Sequence, residues 1–436
     1  MRGAADYSPL CVPIIAGLSV LGYTSRPSPY RWLFFLPIAS ISVYAVFFTA
    51  SDDIIGDYSQ GCWIATNFFI ASDFLVLTDV QRVFRKVGSG WGRSRETAKV
   101  VEGEGTALSK GTKGDGQSEL YAEQDEPDKI HDQPFLARLK WGFHLFTSPR
   151  GMGWAHGLPA TRYVLPSVSK LAFFQTQALD LLGCLVLYDL AQIMLDLNPG
   201  FRVDGPAFRE EQRWWMRPTV LGHTMASVGG VGGSYVVFNC LLVLLGVYEP
   251  MQWPFTFGSL LEGYTVRRCW SKVWHRNMVR FMTSHADYFA PHLPPNSRRK
   301  QYLTLYTAFF ISALIHYAGD YMLLQSYTKA LGAFQFFMLQ PFIITLETAL
   351  IAFAKRALGL AGGSSTTAGA GARPEDQKKL GRLPRLMLRL AGYAWTLSWF
   401  TYTLPIWIQP HVRAGFFKGG RYESVIGRAA KWGLGL

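Results

Sequence analysis

The chain has 436 residues, of which 49% are hydrophobic and 15% aromatic but only 17% charged, and its formal net charge is +13. This composition excludes an ordinary soluble protein and favours a membrane protein with several spans. The basic residues lie in short segments between apolar runs, as membrane topology requires, so the charge does not indicate a nucleic-acid partner.

Eight apolar runs are long enough, or nearly so, to cross about 30 Å of hydrocarbon. In chain order they cover residues 9–24, 31–50, 59–78, 169–195, 226–248, 302–318, 332–354 and 386–409. The first and the sixth are short. We therefore predict an all-α bundle of about eight transmembrane helices.

Two polar stretches divide the chain. Residues 88–133 are rich in Gly, Ser, Lys, Glu and Asp, and they cannot bury enough apolar surface to offset the entropy of ordering, so we predict a disordered insertion. Residues 356–385 are predicted to form a flexible basic loop. The remaining parts are N-terminal helices over 1–80, a core over 140–355, and a last helix with a basic tail over 386–436.

The charges of the loops predict an orientation. If the insertion after the third helix faces the cytosol, the positive-inside rule places the basic 250–301 and 355–385 loops there too, and the acidic Asp52, Asp53 and Asp57 fall on the other side. The basic tail then falls on the acidic side, against the rule.

Residues 262–280 are unusually rich in arginine and tryptophan, and we refer to residues 267–276 as the Arg–Trp segment. As a helix, it would place Arg267, Trp270 and Trp274 on one face, which suits an anchor at the membrane interface. Arginine forks and aromatic faces also suit the phosphates and adenine of coenzyme A, and the excess of cations favours this second interpretation. The candidate carrier-binding residues are Arg267, Arg268, Trp270, Trp274 and Arg276.

His316 lies within the apolar run 306–320. Because an ionisable group is costly in a membrane, it is a functional candidate by default. Ser312 and Asp320 lie one turn before and after it, so the sequence predicts a local partner; the alternative is a histidine satisfied near a helix end. A neutral imidazole, with a reference pKa of about 6.5, is a competent general base for an alcohol.

Other catalytic patterns are missing from the sequence. There is no GxSxG or HExxH motif, and the five cysteines lack zinc-site spacing, so we predict no metal. Polar residues within the apolar runs are interpreted as hydrogen-bonding partners between helices or as residues at helix ends. These are Asp73, Asp180, Asp189, Gln335, Gln340 and Glu347. The other histidines, including His223 and His411, are interpreted as loop or helix-end residues.

Four motifs carry a resemblance to a known family: SPRGMGW at 148–154, WPFTFGS at 253–259, RCWSKVWH at 268–275 and LIH at 314–316. In order and spacing they resemble the wax synthase domain of the membrane-bound O-acyltransferase (MBOAT) superfamily, and the first looks like a segment of its fungal members. The similarity covers most of the region from about 140 to 355.

The resemblance implies a polytopic enzyme of the endoplasmic reticulum that transfers acyl groups from acyl-CoA to hydroxyls, with an MBOAT-like bundle. His316 corresponds to the membrane-embedded catalytic histidine, and His275 occupies a position where plant wax synthases have Asn. The implied partners are acyl-CoA as co-substrate, a lipophilic alcohol and the bilayer, without a tightly bound cofactor. The fungal branch favours acetyl-CoA and a terpenoid or meroterpenoid acceptor.

Two alternatives remain open. A long-chain acyl-CoA:alcohol acyltransferase that makes wax esters or neutral lipids would share every residue named above. The second alternative, from a different class of protein, is a multi-pass transporter of a lipophilic metabolite. Transporters often have helices interrupted by Gly or Pro at corresponding positions in their two halves. The glycine-rich stretch 229–233 has no counterpart of this kind in the sequence.

Overall fold

The computed structural model describes most of the apolar part of the chain. The described residues are 5–51, 53–86, 130–148, 150–157, 169–210, 214–248, 250, 255–275, 278–357, 382–419, 424–426 and 428. Most of the predicted insertion, 88–129, and most of the predicted loop, 358–381, lie outside them. The division into domains and the orientation in the membrane stay predictions.

The described part is almost entirely helical. Its helices are α1 (Cys11–Thr24), α2 (Phe35–Phe48), α3 (Ile54–Ala71), α4 (Val80–Val83), α5 (Phe135–Phe146), α6 (Lys170–Leu197), α7 (Leu221–Leu244), α8 (Val266–Arg268), α9 (Val279–Phe289), α10 (Arg298–Leu324), α11 (Tyr327–Ala357), α12 (Arg382–Ala414) and α13 (Phe416–Gly419). Two-residue strands, β1 (Ala5–Asp6) and β2 (Thr49–Ala50), pair in parallel. The prediction of an all-α membrane bundle is confirmed.

All eight predicted apolar segments are helical, but fewer of them satisfy the requirements for a span. Six helices in the described residues are long and apolar enough to cross a membrane: 31–48, 54–77, 170–197, 214–244, 298–324 and 327–357. Helix α1 has 14 residues and is about 21 Å long, which is short of the hydrocarbon thickness. Helix α12 has 33 residues, but its many Trp, Tyr and Thr residues reduce its hydropathy.

Several helix ends differ from the prediction. The sixth predicted segment, 302–318, is not short, because α10 runs over 27 residues. Polar residues at its ends hide this length in the sequence: Ser297 caps its first turn by accepting from the Lys300 amide, and Asp320 is buried near its other end. Helices α11 and α12 extend into the predicted 356–385 loop, to Ala357 and from Arg382.

Helices α3 and α10 approach each other closely at glycines. A Cβ added to Gly61 would lie 2.7 Å from both the Ala318 oxygen and the Gly319 Cα, and one added to Gly319 would lie 2.5 Å from the Cys62 sulfur. Small residues let helix backbones come this near in a membrane protein. The contact brings the first turns of α3 against the last turns of α10, where the candidate base lies.

Candidate active site

His316 is held by side chains from three other helices. Its Nδ1 lies 2.8 Å from the hydroxyl oxygen of Tyr58 on α3. Its ring stacks on Phe337 of α11, with centroids 4.3 Å apart and planes within 3°, and it meets Trp407 of α12 edge-on at 5.0 Å. The ring is half-buried, and within the described part of the chain its Nε2 makes no hydrogen bond. One nitrogen is therefore fixed and the other is available.

The predicted local partner of His316 is wrong. Asp320 lies one turn later, but its Oδ1 accepts from Trp407 Nε1 at 3.2 Å and lies 2.7 Å from His411 Nε2. Because α12 supplies these donors, the Asp320 carboxylate is engaged away from His316. Both members of the Asp320–His411 pair are fully buried. The observed partner of His316, Tyr58, is 258 residues away in sequence.

Further histidines gather around this centre. The Tyr58 ring meets the His411 ring edge-on at 5.3 Å, and His223 meets Trp407 edge-on at 5.8 Å. Because Tyr58 and Trp407 both contact His316, His411 and His223 are each one side chain away from it. His223 and His411 do lie near helix ends, as predicted, but their proximity to His316 depends on packing that the sequence does not reveal.

The Arg–Trp segment is not the single regular helix on which the sequence analysis arranged its side chains. Helix α8 begins at Val266 and passes into a π turn, Cys269–Val273, after which Trp274 is extended. The cause lies on α11: the buried Glu347 carboxylate accepts from the amides of Val266 at 2.9 Å and Arg267 at 3.0 Å, which fixes the start of the helix.

Trp270 is partly buried and packs against the neighbouring helices. Its indole Nε1 donates to Gln340 Oε1 at 3.2 Å, and its ring packs on Phe309 at 5.4 Å and Phe337 at 5.9 Å. Phe337 also stacks on His316, so a single ring lies between the Arg–Trp segment and the candidate base.

The arginines of the segment differ in their surroundings. Arg268 forms an ion pair with Glu262, and its guanidinium lies 4.5 Å above the Tyr264 ring. The Nε of Arg267 is buried and has no hydrogen-bond partner in the described ranges. Arg276 lies outside the described residues. Arg267 is therefore the described arginine of this segment that best suits an external anion.

His275, near the end of the Arg–Trp segment, contacts the WPFTFGS motif at 253–259. Its ring packs against Phe257 at 5.7 Å and Trp274 at 5.4 Å, and its buried Nδ1 has no partner among the described residues. Burial, and after it the charge of Arg150, lower the pKa of His275 to about 4, so the ring is neutral at pH 7. Arg150 precedes Gly151, whose φ of +66° shapes a tight turn.

Some of the other polar residues in the helices connect elements, as predicted. Gln340 accepts from the indoles of both Trp270 and Trp399, and Glu347 accepts from Trp395 at 3.1 Å. Asp189 accepts from Ser424 and from the amides of residues 425 and 426.

Comparisons with known proteins identify the class of protein that this chain resembles. Residues 253–339, which include His275 and His316, match the membrane bound O-acyl transferase family. Acetyltransferase eriL of Hericium erinaceus is 28% identical over 92% of both chains, and acetyltransferase ple2 of Rhodocybe pseudopiperita is 26% identical over 92% of this chain and 90% of its own. O-Mevalon transferase macI of Penicillium terrestre is 31% identical over 61% of each.

No solved structure matches the chain. The family match spans the candidate base, and the two acetyltransferases align over nearly the full length. The chain is therefore an acyl-transferring enzyme of the membrane, in which residues 253–339 match the membrane bound O-acyl transferase family and nearly the full length is similar to fungal acetyltransferases.

Proposed function

We propose that this enzyme transfers an acetyl group from acetyl-CoA to a hydroxyl of a terpenoid or meroterpenoid alcohol at the endoplasmic reticulum, with His316 as general base. One observation carries the chemistry: Nδ1 of His316 is bound to Tyr58 while Nε2 makes no hydrogen bond to the described residues. Two relatives named acetyltransferases, which align over about nine-tenths of the chain, support the choice of acetyl.

The Tyr58 contact determines which tautomer of His316 is useful. When Nδ1–H donates to the Tyr58 oxygen, Nε2 carries a lone pair and accepts the alcohol proton. The alcohol oxygen then attacks the thioester carbonyl, so that a C–O bond forms and the C–S bond breaks. The thiolate of coenzyme A leaves and takes the proton from Nε2, which returns His316 to its starting state. Tyr58 is a positioning residue in this scheme.

The Arg–Trp segment would hold the carrier. Arg267, with its unpartnered buried Nε, is the first candidate for a phosphate contact, and Arg268 and Arg276 are further candidates. His275 is neutral at pH 7 and has an unpartnered ring nitrogen, which suits a group that orients the thioester. Acetyl-CoA is then a co-substrate, and no tightly bound cofactor takes part.

A larger acyl group is the second candidate. One relative is named an O-Mevalon transferase, which favours testing acyl groups other than acetyl. A long-chain acyl-CoA:alcohol acyltransferase would use the same base.

The test compares donors in microsomes that contain the protein, with microsomes from cells lacking it as control. Acetyl-CoA and palmitoyl-CoA are supplied side by side with farnesol, its terminally hydroxylated diol and hexadecanol, and free thiol and ester products are measured. We expect thiol release that requires both acetyl-CoA and a terpenoid alcohol. A strong preference for palmitoyl-CoA would refute the acetyl assignment, and thiol release independent of any alcohol would refute acyl transfer to a hydroxyl.

A further inference from the structure

A cavity of about 350 Å³ opens at one end of the helix bundle. It lies between the start of α3, the chain after α6 and the turn from α12 to α13. Its lining combines apolar and charged residues: Asp53, Ile54, Ile55, Val203, Arg413, Ala414, Gly415, Phe416 and Lys418. Arg413 Nη1 donates to the Val203 carbonyl at 2.6 Å, which fixes one wall.

The cavity is adjacent to the candidate base. Tyr58, which holds His316, lies four residues after Ile54, and therefore about 6 Å further along α3. The Phe416 ring, which lines the cavity, meets Tyr58 edge-on at 5.8 Å and the His411 ring at 5.4 Å. Gly415, with φ +87°, allows the sharp turn that places this ring. Phe416 thus contacts both the cavity and the ring of Tyr58.

The Arg–Trp segment lies far from this cavity. Gly392 of α12 packs directly against the Tyr264 backbone just before α8, whereas Arg413 of the same helix lines the cavity. The distance between the two positions along the helix is about 30 Å. A carrier held by the Arg–Trp segment and a molecule in the cavity would reach His316 from opposite ends of the bundle.

We infer that this cavity binds the alcohol substrate, as a compact lipophilic alcohol with more than one oxygen substituent, and that Phe416 controls its passage to His316. This inference rests on the proposed acyl transfer. The volume lies at the lower end for small-molecule sites, which suits a compact alcohol better than a nucleotide-bearing carrier.

The chemistry of the lining narrows the substrate class. Ile54, Ile55 and Phe416 offer apolar surface, while Asp53, Arg413 and Lys418 offer donors and an acceptor. A straight-chain alcohol with one hydroxyl would leave these charged groups unused after its hydroxyl reached His316. A second oxygen on the substrate would remain among them and set the orientation of the molecule.

The first arm of the test measures binding without turnover. In full-length Ile55→Cys and Leu245→Cys proteins, maleimide labelling at the new cysteine is followed by peptide mass spectrometry, with and without the terminally hydroxylated diol of farnesol. Leu245 is exposed beyond the end of α7 and does not line the cavity. We expect the diol to slow labelling at residue 55 at least threefold and to leave residue 245 unchanged. Equal labelling of residue 55 with and without the diol would overturn the inference.

The second arm measures transfer. Ile54→Trp fills the cavity, so we expect the KM for the diol to rise at least fivefold while the KM for acetyl-CoA stays within twofold of wild type. Leu245→Trp is the matched control. An unchanged diol KM, or a rise confined to acetyl-CoA, would overturn the inference. If the wild-type protein transfers no acetyl group, the proposed function fails, and the labelling arm still decides whether the cavity binds the diol.

Discussion

His316 and the Arg–Trp segment lie on two sides of the Phe337 ring, but they are built differently. The imidazole is held by uncharged rings and one hydroxyl from three other helices, and the carboxylate one turn later, Asp320, is bound by its own donors. The arginine end of the Arg–Trp segment is held by a helix cap and an ion pair close to it in sequence, and Glu347 and Gln340 of α11 supply hydrogen bonds to the segment.

This difference in construction matches the different requirements of proton transfer and of binding a charged carrier. Proton transfer needs a ring in one place and one tautomer, which packing from several helices provides. Binding a charged carrier needs cations that remain available, and only some of the arginines meet that condition. Variants that damage one region and spare the other test this division.

The largest effect is expected from removing the Asp320 carboxylate. Asp320→Ala leaves the Trp407 and His411 donors buried without an acceptor, at a cost of about 1–3 kcal/mol each. The unfolding temperature of the detergent-purified protein should fall clearly below that of Asp204→Ala, a control at an exposed position. Equal unfolding temperatures for the two variants would show that the buried pair is not structural.

Removing the Tyr58 hydroxyl should affect turnover more than binding. Tyr58→Phe keeps the ring contacts with His411 and Phe416 but loses the hydrogen bond to His316, a contact of about 0.5–1.5 kcal/mol, so transfer should fall up to about tenfold. The pH–rate profile should also move, since the tautomer is no longer set, while the KM for acetyl-CoA stays constant. Tyr44→Phe, at an exposed position, is the control. A changed KM with an unchanged profile would argue against a positioning role.

Neutralising Arg267 should affect binding more than turnover. Arg267→Gln removes the guanidinium with the unpartnered Nε, so the KM for acetyl-CoA should rise about fivefold at low salt with kcat unchanged, and added salt should reduce the difference. Lys272→Gln, at an exposed position, should change the KM less than twofold. If both variants behave alike, the segment acts through general charge and not through Arg267.

The smallest effect concerns pH and stability. The pKa of His275 is lowered to about 4, so between about pH 6.5 and 4 the unfolded chain binds more protons and stability falls as the pH falls. His275→Asn should flatten this dependence of the unfolding temperature. A remainder is expected from His144, whose pKa burial and the neighbouring Lys86 also lower to about 4. An unchanged slope in the variant would mean that His275 is not buried as described.

The sequence predicts the helices well because hydropathy is a local property, and it identifies His316 because a histidine in an apolar run is conspicuous. It fails where one element is shaped by another. The π turn at Cys269–Val273 follows a helix start fixed by Glu347 on α11, and no local pattern reveals that contact.

The partners in the site show the same limit. Asp320 has the right spacing to bind His316, but its carboxylate pairs with His411, which is 91 residues away in sequence. Tyr58 carries no signal in the sequence. The glycines 61 and 319, which let α3 approach α10, are visible but cannot be paired without the fold.

The most direct test of His316 as the base is to measure transfer and acyl-CoA binding together in wild-type and His316→Ala membranes. A general base contributes about 10²–10⁴-fold, so we predict that acetyl transfer to the alcohol falls at least 100-fold. Equilibrium binding of acetyl-CoA should stay within threefold, because in our proposal the carrier is held by the Arg–Trp segment and not by His316. Transfer by His316→Ala at the wild-type rate would contradict the assignment of His316 as the base.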